Sequence, residues 1–178
     1  MLLRLRAALL IIGIASCSGA AFAHGPTPQK VDEKITIAAQ PDEVWKVVKD
    51  FASIASWHPA VSKIKIEGSG NETTRTVTLK SGGELVDSLD AVDDKAMELD
   101  YRLQNEDFAA LPVSSYSMAI TVQPADGGSQ VEWISRLYRF DTGNEPPEDK
   151  NDDAAVKATT EFIKAGLNGL KTKLESKK

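Results

Sequence analysis

The sequence predicts an α+β domain in which a curved antiparallel sheet wraps around one long C-terminal helix. Apolar and polar residues alternate over much of residues 61 to 141, a pattern typical of strands with one buried face. Residues 156 to 174 carry apolar side chains at three- and four-residue spacings, which indicates a helix with one buried side. A first strand and two short helices precede the sheet. The 178-residue chain is therefore expected to hold one such domain.

The N-terminal segment, residues 1 to 23, has the layout of a secretory signal peptide. Two arginines precede an apolar run over residues 7 to 14, and small residues close on an Ala-x-Ala site at residues 21 to 23. The apolar run is too short to span a bilayer, and no other segment is expected to span one. We therefore expect cleavage on export to the periplasm. The alternative is a lipoprotein, because Cys17 ends a segment that loosely resembles a lipoprotein box.

Charge and cysteine content narrow the classes of function. The whole chain has a formal net charge of −5, and removal of Arg4 and Arg6 leaves 19 basic against 26 acidic residues, a net charge of −7. No nucleic-acid partner is expected, because the sequence has no basic stripe that could displace phosphate counterions. Since Cys17 is the single cysteine, the processed chain would have no disulfide and no thiol nucleophile. No cofactor is expected.

The first elements can be placed along the chain. Residues 24 to 30 are polar and contain two prolines, which predicts an extended leader, and residues 31 to 178 form the predicted domain. Pro41, followed by two acids, predicts the start of the first short helix. Pro59 is expected to end the second, because the residue before a proline disfavours the helical region. The first strand is expected at Val31, Ile35 and Ile37.

The sheet and the final helix follow from further patterns. About six antiparallel strands are expected, separated by turn signals such as residues 68 to 71 and 126 to 129. Asn151 and the two acids after it are placed to cap the first turn of the long helix. Gly166 and Gly169 lower the helical propensity of its middle, so we expect them to mark close packing against the sheet.

This order of elements is that of the helix-grip fold, and the chain resembles the SRPBCC superfamily of START and Bet v 1-like proteins, which includes polyketide cyclase-like members. The resemblance lies in the leading strand with AAQPDEVWKVVKDFASIASWHPAV and in the long helix after the strand VEWISRLYRF. It covers nearly all of residues 31 to 174. It implies the fold and carries little information about chemistry.

Four segments resemble more closely the MxaD group, small periplasmic proteins encoded with the methanol oxidation systems of methylotrophic bacteria. They are HGPTPQKV, WHPAV, LPVSSYSMAITV and EPPEDKNDDAAVKATTEFIKAGLNGLK. The resemblance implies an accessory role that aids the interaction of quinoprotein methanol dehydrogenase with its cytochrome c acceptor. It brings no catalytic motif, so no residue receives a catalytic role and the protein is expected not to be an enzyme.

In a helix grip, the sheet and the short helices wrap a cavity under the long helix. Aromatic residues with polar tips suit an apolar ligand that has one or two oxygens. His58 is interpreted as a partly exposed histidine bonded to a loop, while a role in orienting a ligand or in acid–base catalysis stays open. Alternation alone does not say which strand face looks inward. The predicted pocket residues are Trp57, His58, Tyr101, Tyr116, Met118, Trp133, Arg136 and Tyr138.

Two other places could take part in function. Residues 141 to 153 are rich in acids and form either a solvated connector or a docking surface for a charged partner. His24 would become the N-terminal residue after cleavage, where its amine and imidazole could chelate Cu(II). A flexible end without a metal is the interpretation preferred for His24. The predicted docking residues are Asp141, Glu145, Glu148 and Asp149.

The sequence therefore leaves two functions open. One is an accessory protein that acts through its surface on methanol dehydrogenase and its cytochrome c. The other is a hydrophobic small-molecule binding protein or cyclase-like enzyme that uses the cavity, with Trp57, His58, Tyr101 and Tyr116 nearest the ligand.

Overall fold

A computed structural model describes residues 25 to 176 and confirms the predicted helix-grip architecture. Seven strands of this part of the chain form one antiparallel sheet in the order β1-β7-β6-β5-β4-β3-β2. Six of them follow the short helices, as the sequence predicts. The strands are β1 (Gln29–Ile37), β2 (Val61–Glu67), β3 (Thr74–Leu79), β4 (Glu84–Asp93), β5 (Glu98–Asn105), β6 (Val113–Ala125) and β7 (Gly128–Arg139).

Helix α1 (Pro41–Val48) follows β1, and the short 3-10 helix Ser53–Ser56 follows α1. The backbone N–H of Gln40 donates to the Glu43 carboxylate over 3.3 Å, which satisfies a group at the start of α1. The indole N–H of Trp45 donates to Asp94 over 2.8 Å and so ties α1 to the turn between β4 and β5. Further 3-10 helices span Gly70–Glu72 and Glu148–Lys150.

Helix α2 (Asp152–Glu175) closes the grip by packing against β1 and β7. Its start is fixed by Asn151, whose side-chain oxygen accepts from the Ala154 N–H over 2.9 Å, as the sequence predicts. One side of α2 is buried, as its apolar stripe requires. The buried residues are Ala155, Thr159, Phe162, Ile163, Gly166, Leu167, Leu170 and Leu174.

The two faces of the sheet differ in what they contact. We call the face toward α2 the inner face and the opposite one the outer face. On β7, Trp133, Ser135 and Leu137 are fully buried on the inner face, whereas Arg136 and Tyr138 are exposed on the outer face. This alternation decides which predicted site residues can reach the interior.

Two glycines allow α2 to approach the segment after the Ser53–Ser56 helix. A Cβ at Gly169 would overlap the backbone carbonyl of Trp57, and a Cβ at Gly166 would lie 2.6 Å from the Trp133 ring and 2.7 Å from the His58 ring. The predicted close packing against the sheet is therefore confirmed for Gly166, which faces Trp133 of β7, whereas Gly169 is packed closely against the segment before β2 instead. Both positions contact residues 57 and 58 or the strand beneath them, so the glycines set how deeply α2 lies in the grip.

The start of the fold lies slightly earlier than the sequence predicts. β1 begins at Gln29, two residues inside the segment predicted as leader, and Gln29 lies opposite Leu137 of β7. The predicted signal peptide and Cys17 lie outside the described residues. Among the helices of residues 25 to 176, none has the length and apolar character that a membrane span requires.

We expect Gly169→Ala to destabilise the protein although alanine favours helices. The added methyl meets backbone atoms of residue 57, so a change of rotamer cannot relieve the overlap, and overpacking of this kind costs about 1 to 3 kcal/mol. Asn168→Ala, at an exposed position one residue earlier, is the control and should change stability by no more than about 0.5 kcal/mol. Urea unfolding of the two variants measures both values, and equal midpoints would contradict this account of the helix seat.

Candidate functional site

The predicted pocket residues separate into two groups. Arg136 and Tyr138 lie on the outer face, which corrects the expectation that they line the interior, because even-numbered residues of this part of β7 point away from α2. The other six lie inside the grip, and none is more than 7 % exposed. These six are Trp57, His58, Tyr101, Tyr116, Met118 and Trp133.

Aromatic rings occupy the space between the sheet and α2. The ring centroids of His58 and Phe162 are 4.1 Å apart. Trp133 meets Trp57 edge to face at 5.9 Å and Phe162 at 6.0 Å. Edge-to-face contacts at these distances stabilise a core beyond the area that they bury. The six inner residues therefore pack against other side chains of the core.

Both ring nitrogens of His58 have backbone partners. Nε2 lies 3.0 Å from the carbonyl oxygen of Phe162 in α2, and Nδ1 lies 3.2 Å from the Ala60 N–H. Since the Ala60 amide can only donate, Nδ1 accepts and the proton resides on Nε2, which donates to Phe162. His58 is 2 % exposed, so it is buried and bonded to the long helix, and not partly exposed beside a loop as the sequence suggested.

Burial lowers the pKa of His58 to about 4, with a further contribution from the positive charges of Arg75 and Lys80. The hydrogen bond to Phe162 opposes this change without overcoming it. His58 is therefore neutral near pH 7, and its basic nitrogen is already occupied by a backbone amide. A general base needs a free lone pair within reach of the substrate, and His58 offers none in this structure.

A buried ion pair lies deeper on the inner face. Arg75 of β3 and Asp87 of β4 are directly opposite each other, and Nε and Nη2 of Arg75 donate to one Asp87 oxygen over 3.1 and 2.7 Å. The Tyr116 hydroxyl donates to the other Asp87 oxygen. Both charged side chains are at most 3 % exposed. This pair was not predicted from the sequence.

The same arginine connects the sheet to the helical segment. Its Nη1 donates to the Phe51 carbonyl over 2.9 Å, which leaves no nitrogen of the guanidinium without a protein acceptor. The guanidinium carbon lies 4.0 Å from the centroid of the Phe51 ring and 4.8 Å from that of Tyr101. Because its charge is matched and its hydrogen bonds are satisfied, Arg75 acts as a structural tie between the sheet and the chain after α1.

Two tyrosines beside this pair are held in the neutral form. Burial, together with the Asp87 charge, raises the pKa of Tyr116 well above its usual value of 10.0. Burial also raises the pKa of Tyr101, whose hydroxyl donates to the Met118 sulfur over 3.1 Å. Neither phenol is prepared to lose a proton, so neither suits a role as a base near neutral pH.

Three buried polar atoms on the inner side make no hydrogen bond of normal geometry with residues 25 to 176, although the Tyr101 hydroxyl lies near one of them, the Trp133 indole nitrogen. They are Nε1 of Trp133 and the hydroxyl oxygens of Ser135 and Thr159, and all three residues are 0 % exposed. An unpaired buried polar group costs about 1 to 3 kcal/mol. The interior thus carries a polar strip, defined by Trp133, Ser135 and Thr159, that its own side chains do not satisfy.

The strip crosses from β7 to α2. Asp152 at the start of α2 is bonded to Arg139, and Gly166 lies over Trp133, so α2 and β7 run side by side. From Asp152 to Gly166 the helix advances by 14 residues, or about 21 Å, and from Arg139 back to Trp133 the strand advances by six residues, or about 20 Å. Thr159, halfway along this part of α2, therefore lies at the level of residues 135 to 137. Its hydroxyl and that of Ser135 belong to one region of the interior.

A cleft of about 500 Å³ lies outside the core, where α1 and the Ser53–Ser56 helix face the end of α2. Lys173 of α2 donates to the Ser56 hydroxyl over 2.9 Å at its floor. The charged residues that line it are two acids and two lysines, so the cleft favours neither sign of ligand charge. They are Glu43, Asp50, Lys46 and Lys173.

The acidic segment, residues 141 to 153, is held against the body of the protein. Arg139 donates to the Asp141 carbonyl over 2.7 Å, to the Gly143 carbonyl over 2.8 Å and to the Asp152 carboxylate over 2.9 Å. The ammonium of Lys150 lies 4.8 Å from the centroid of the Phe108 ring, a cation–π contact. The segment is therefore an anchored loop rather than a free connector.

This anchoring separates the predicted docking residues. Asp141 is half-buried, and its carboxylate accepts from the Gly143 N–H over 2.8 Å, so it shapes the loop. Glu145, Glu148 and Asp149 are exposed and make no ion pair with residues 25 to 176. These three acids form one exposed negative surface at the end of the molecule where β7 ends.

The described residues offer no metal site. No group of three or more His, Cys, Asp or Glu side chains in residues 25 to 176 is arranged to hold an ion. His24, the residue suggested for Cu(II), lies outside the described residues.

Comparison with known proteins places this fold among its relatives. The sequence profile of the family described as polyketide cyclase / dehydrase and lipid transport matches residues 28 to 175. No curated protein matches the chain significantly in sequence.

Solved structures resemble the fold over most of the chain. An uncharacterised protein of Bacillus thuringiensis is 21 % identical with a TM-score of 0.70, over 83 % of this chain and 99 % of its own. The ZhuI aromatase/cyclase of Streptomyces sp. R1128 is 19 % identical, TM-score 0.66, over 85 % and 96 %. Norcoclaurine synthase of Thalictrum flavum is 18 % identical, TM-score 0.62, over 86 % and 98 %. At sequence identities this low, the similarity shows a shared fold and nothing more.

Acidification should destabilise the protein through His58. The unfolded chain binds a proton on this imidazole below pH 6.5, whereas the folded chain resists until about pH 4, so stability is lost as pH falls between these values. The loss should amount to about 3 kcal/mol. Urea unfolding between pH 7 and 4 should show that the free energy of unfolding depends less steeply on pH in His58→Gln than in the unchanged protein. Protonation of the carboxylates should contribute equally to both proteins. The same slope in both would contradict the burial of a neutral imidazole.

Asp87→Asn should be strongly destabilising. The amide still offers Tyr116 an acceptor, but Arg75 keeps a buried charge without its counter-ion, at a cost of about 3 to 5 kcal/mol. Glu67→Gln makes the same chemical change in the exposed pair with Lys65, and should cost less than about 1 kcal/mol. Thermal and urea unfolding of both variants check this difference, and a small effect at Asp87 would mean that the Arg75 charge reaches solvent.

Proposed function

Because the chain belongs to the polyketide cyclase/dehydrase and lipid transport family, we propose that it is a non-enzymatic member that serves as an accessory protein of methanol oxidation. In this role it promotes the interaction, or the electron transfer, between quinoprotein methanol dehydrogenase and its cytochrome c. The proposal is supported by the four segments that resemble the MxaD group, among them WHPAV and LPVSSYSMAITV.

The observation that carries the non-enzymatic role is the state of His58. It is the only imidazole in residues 25 to 176, and its ring is buried, neutral and bonded at both nitrogens. The buried Arg75 and Asp87 satisfy each other, and the nearby phenols have raised pKa values. With these groups engaged inside, the surface is the part of the molecule that is free to act.

The exposed negative surface of Glu145, Glu148 and Asp149 suits such a role. Arg139 and Asp152 hold its loop in place, so little ordering entropy is lost when a partner docks. Negative charges attract a positively charged partner over several ångströms and make the association rate depend on salt. We propose that this surface contacts a basic patch on the dehydrogenase or the cytochrome.

The same proposal places the protein in the periplasm. Residues 1 to 23 act as a signal peptide that is removed on export, and a lipoprotein attached through Cys17 is the alternative. The intact mass of the protein recovered from the periplasm distinguishes the two, because the first begins at His24 and the second carries a lipid on Cys17.

A second candidate function is the binding of a small, mainly apolar molecule inside the grip. The polar strip of Trp133, Ser135 and Thr159 favours it, because a single oxygen atom could accept from the indole and bond to both hydroxyls. A small molecule that copurifies with the protein, and is lost from Ser135→Ala together with Thr159→Val, would support this function over the first.

The accessory function is tested by the rate of methanol-dependent cytochrome c reduction with purified partners. We expect the protein to raise this rate at low salt and to lose its effect as salt increases, since screening weakens charge attraction beyond about 8 to 10 Å. Reversing the surface with Glu145→Lys, Glu148→Lys and Asp149→Lys should abolish most of the stimulation.

The matched control is Glu67→Lys, Glu72→Lys and Asp126→Lys. These three acids are also exposed, and reversing them changes the net charge by the same amount. They lie at the opposite end of the sheet, so the two variants differ only in where the charges are reversed. Stimulation should survive in this variant. Equal loss in both variants would assign the effect to net charge, and absence of stimulation at any salt concentration would overturn the accessory function.

A further inference from the structure

Strands β5 and β6 separate at one end, and this leaves a hollow on the outer face of the sheet. Pairing of these strands runs from Glu98 opposite Thr121 to Arg102 opposite Ser117, although β5 continues to Asn105 and β6 begins earlier, at Val113. A hollow of about 390 Å³ lies where the pairing stops. Its lining includes Pro28, Arg102, Leu103, Ser115, Arg136 and Tyr138.

Two arginines stand on either side of this hollow. Arg102 of β5 and Arg136 of β7 are both register partners of Ser117 in β6, so the three residues form one row across the sheet. Neighbouring strands are about 4.8 Å apart, which places the two arginine Cα atoms about 10 Å from each other. Arginine side chains are long enough to meet over the serine between them. Arg102 is turned toward Asp90 of β4, with which it pairs at 3.1 Å, and Asp90 and Asp100 lie beside Arg136 in a neighbouring hollow. The two guanidinium groups therefore meet over Ser117 when Arg102 exchanges Asp90 for a ligand.

Three of the polar side chains around the hollow are free to bind, and a fourth, Arg102, is held by one exposed ion pair. The side chains of Arg136, Ser115 and Tyr138 have no hydrogen bond or ion pair with residues 25 to 176, while their backbones pair within the sheet. Arg102 pairs with Asp90 at 3.1 Å, but its side chain is 60 % exposed and such surface pairs contribute little. Guanidinium, hydroxyl and phenol groups all donate, so together they suit a negatively charged acceptor.

The other wall of the hollow is apolar. Pro28 and Leu103 contribute to it, and the Tyr138 ring is 38 % exposed beside them. Tyr138 precedes Arg139, which is hydrogen-bonded to the acidic segment. The negative charges of that segment would therefore repel a ligand with several negative charges from this end of the sheet. A ligand with a single carboxylate and a short apolar chain suits both the side of the hollow that carries the arginines and the apolar side.

We propose that this hollow is a binding site for small organic monocarboxylates. Arg102 and Arg136 hold the carboxylate over Ser117, where the planar fork of a guanidinium matches two carboxylate oxygens. The chain of the ligand lies against Leu103, Pro28 and the Tyr138 ring. The site is on the outer face, separate from the polar strip and from the acidic loop, and does not depend on the accessory function.

The test is a titration of the ¹⁵N-labelled protein followed by amide chemical shifts. The probes are hexanoate, the uncharged hexanol with the same chain, and inorganic phosphate. Hexanoate should give saturable shifts at Arg102, Ser115, Ser117 and Arg136, and both other probes should bind at least about tenfold more weakly, since a charge-assisted bond contributes about 1.5 to 3 kcal/mol.

Arg136→Gln should weaken hexanoate binding about tenfold without altering the fold, because its side chain is exposed and unpaired. Lys63→Gln on β2, three strands from β5, removes the same charge away from the hollow and should leave binding unchanged. Three results would overturn the proposal: no saturable shift at these amides, binding of hexanol or phosphate as tight as that of hexanoate, or equal binding by Arg136→Gln and the unchanged protein.

Discussion

The seat of α2 on the corner formed by Trp57 and His58 is the contact on which the rest of the structure depends. Two glycines let the helix backbone come down onto the Trp57 carbonyl and the His58 ring, and the His58 imidazole then donates to a carbonyl in the middle of that helix. Trp133, on the strand beneath, meets the same corner edge to face. The helix, the short helices and the sheet are thus joined at a single point.

This contact also explains why the interior has a structural character. A helix held so close brings Phe162 against His58 and Trp133, so rings occupy the place in which the fold could enclose a ligand. The buried charge of Arg75 is neutralised by Asp87 and serves to hold the Phe51 carbonyl. What remains unsatisfied inside is the polar strip, which is small. The free charges of the molecule lie outside, on the acidic loop and on the opened outer face of the sheet.

Much of this fold could be predicted from the sequence, because its elements have distinct periods. The apolar stripe of α2, the cap at Asn151 and the close contact of Gly166 with the sheet were predicted from local spacing, and the structure confirms them. Gly169 is also closely packed, but against Trp57 rather than a strand. His58 was harder to predict, since nothing local indicates that its two nitrogens meet Ala60 and a helix over 100 residues away.

The main error in the prediction from the sequence concerned which face of a strand points toward α2. Period-two alternation places Arg136 and Tyr138 together, but it does not say which side contacts α2. The buried pair could have been found by the same rule: Arg75 alternates with Val77 and Leu79, and Asp87 follows Leu85 at a spacing of two, so opposite charges share the apolar face of one hairpin. The hollow between β5 and β6 depends on where pairing stops, which no local pattern records.

The grip is closed around its own side chains, and hydrogen exchange of the Trp133 indole proton tests this most directly. This N–H makes no hydrogen bond of normal geometry in residues 25 to 176, although the Tyr101 hydroxyl lies near it, so burial is the main cause that can slow its exchange with solvent. Hydrogen exchange of the ¹⁵N-labelled protein resolves it from the Trp45 indole, which donates to the exposed Asp94. We predict that the Trp133 proton exchanges as slowly as core amides such as that of Val131. Exchange faster than that of Trp45 would show that water enters the interior and would contradict a closed grip.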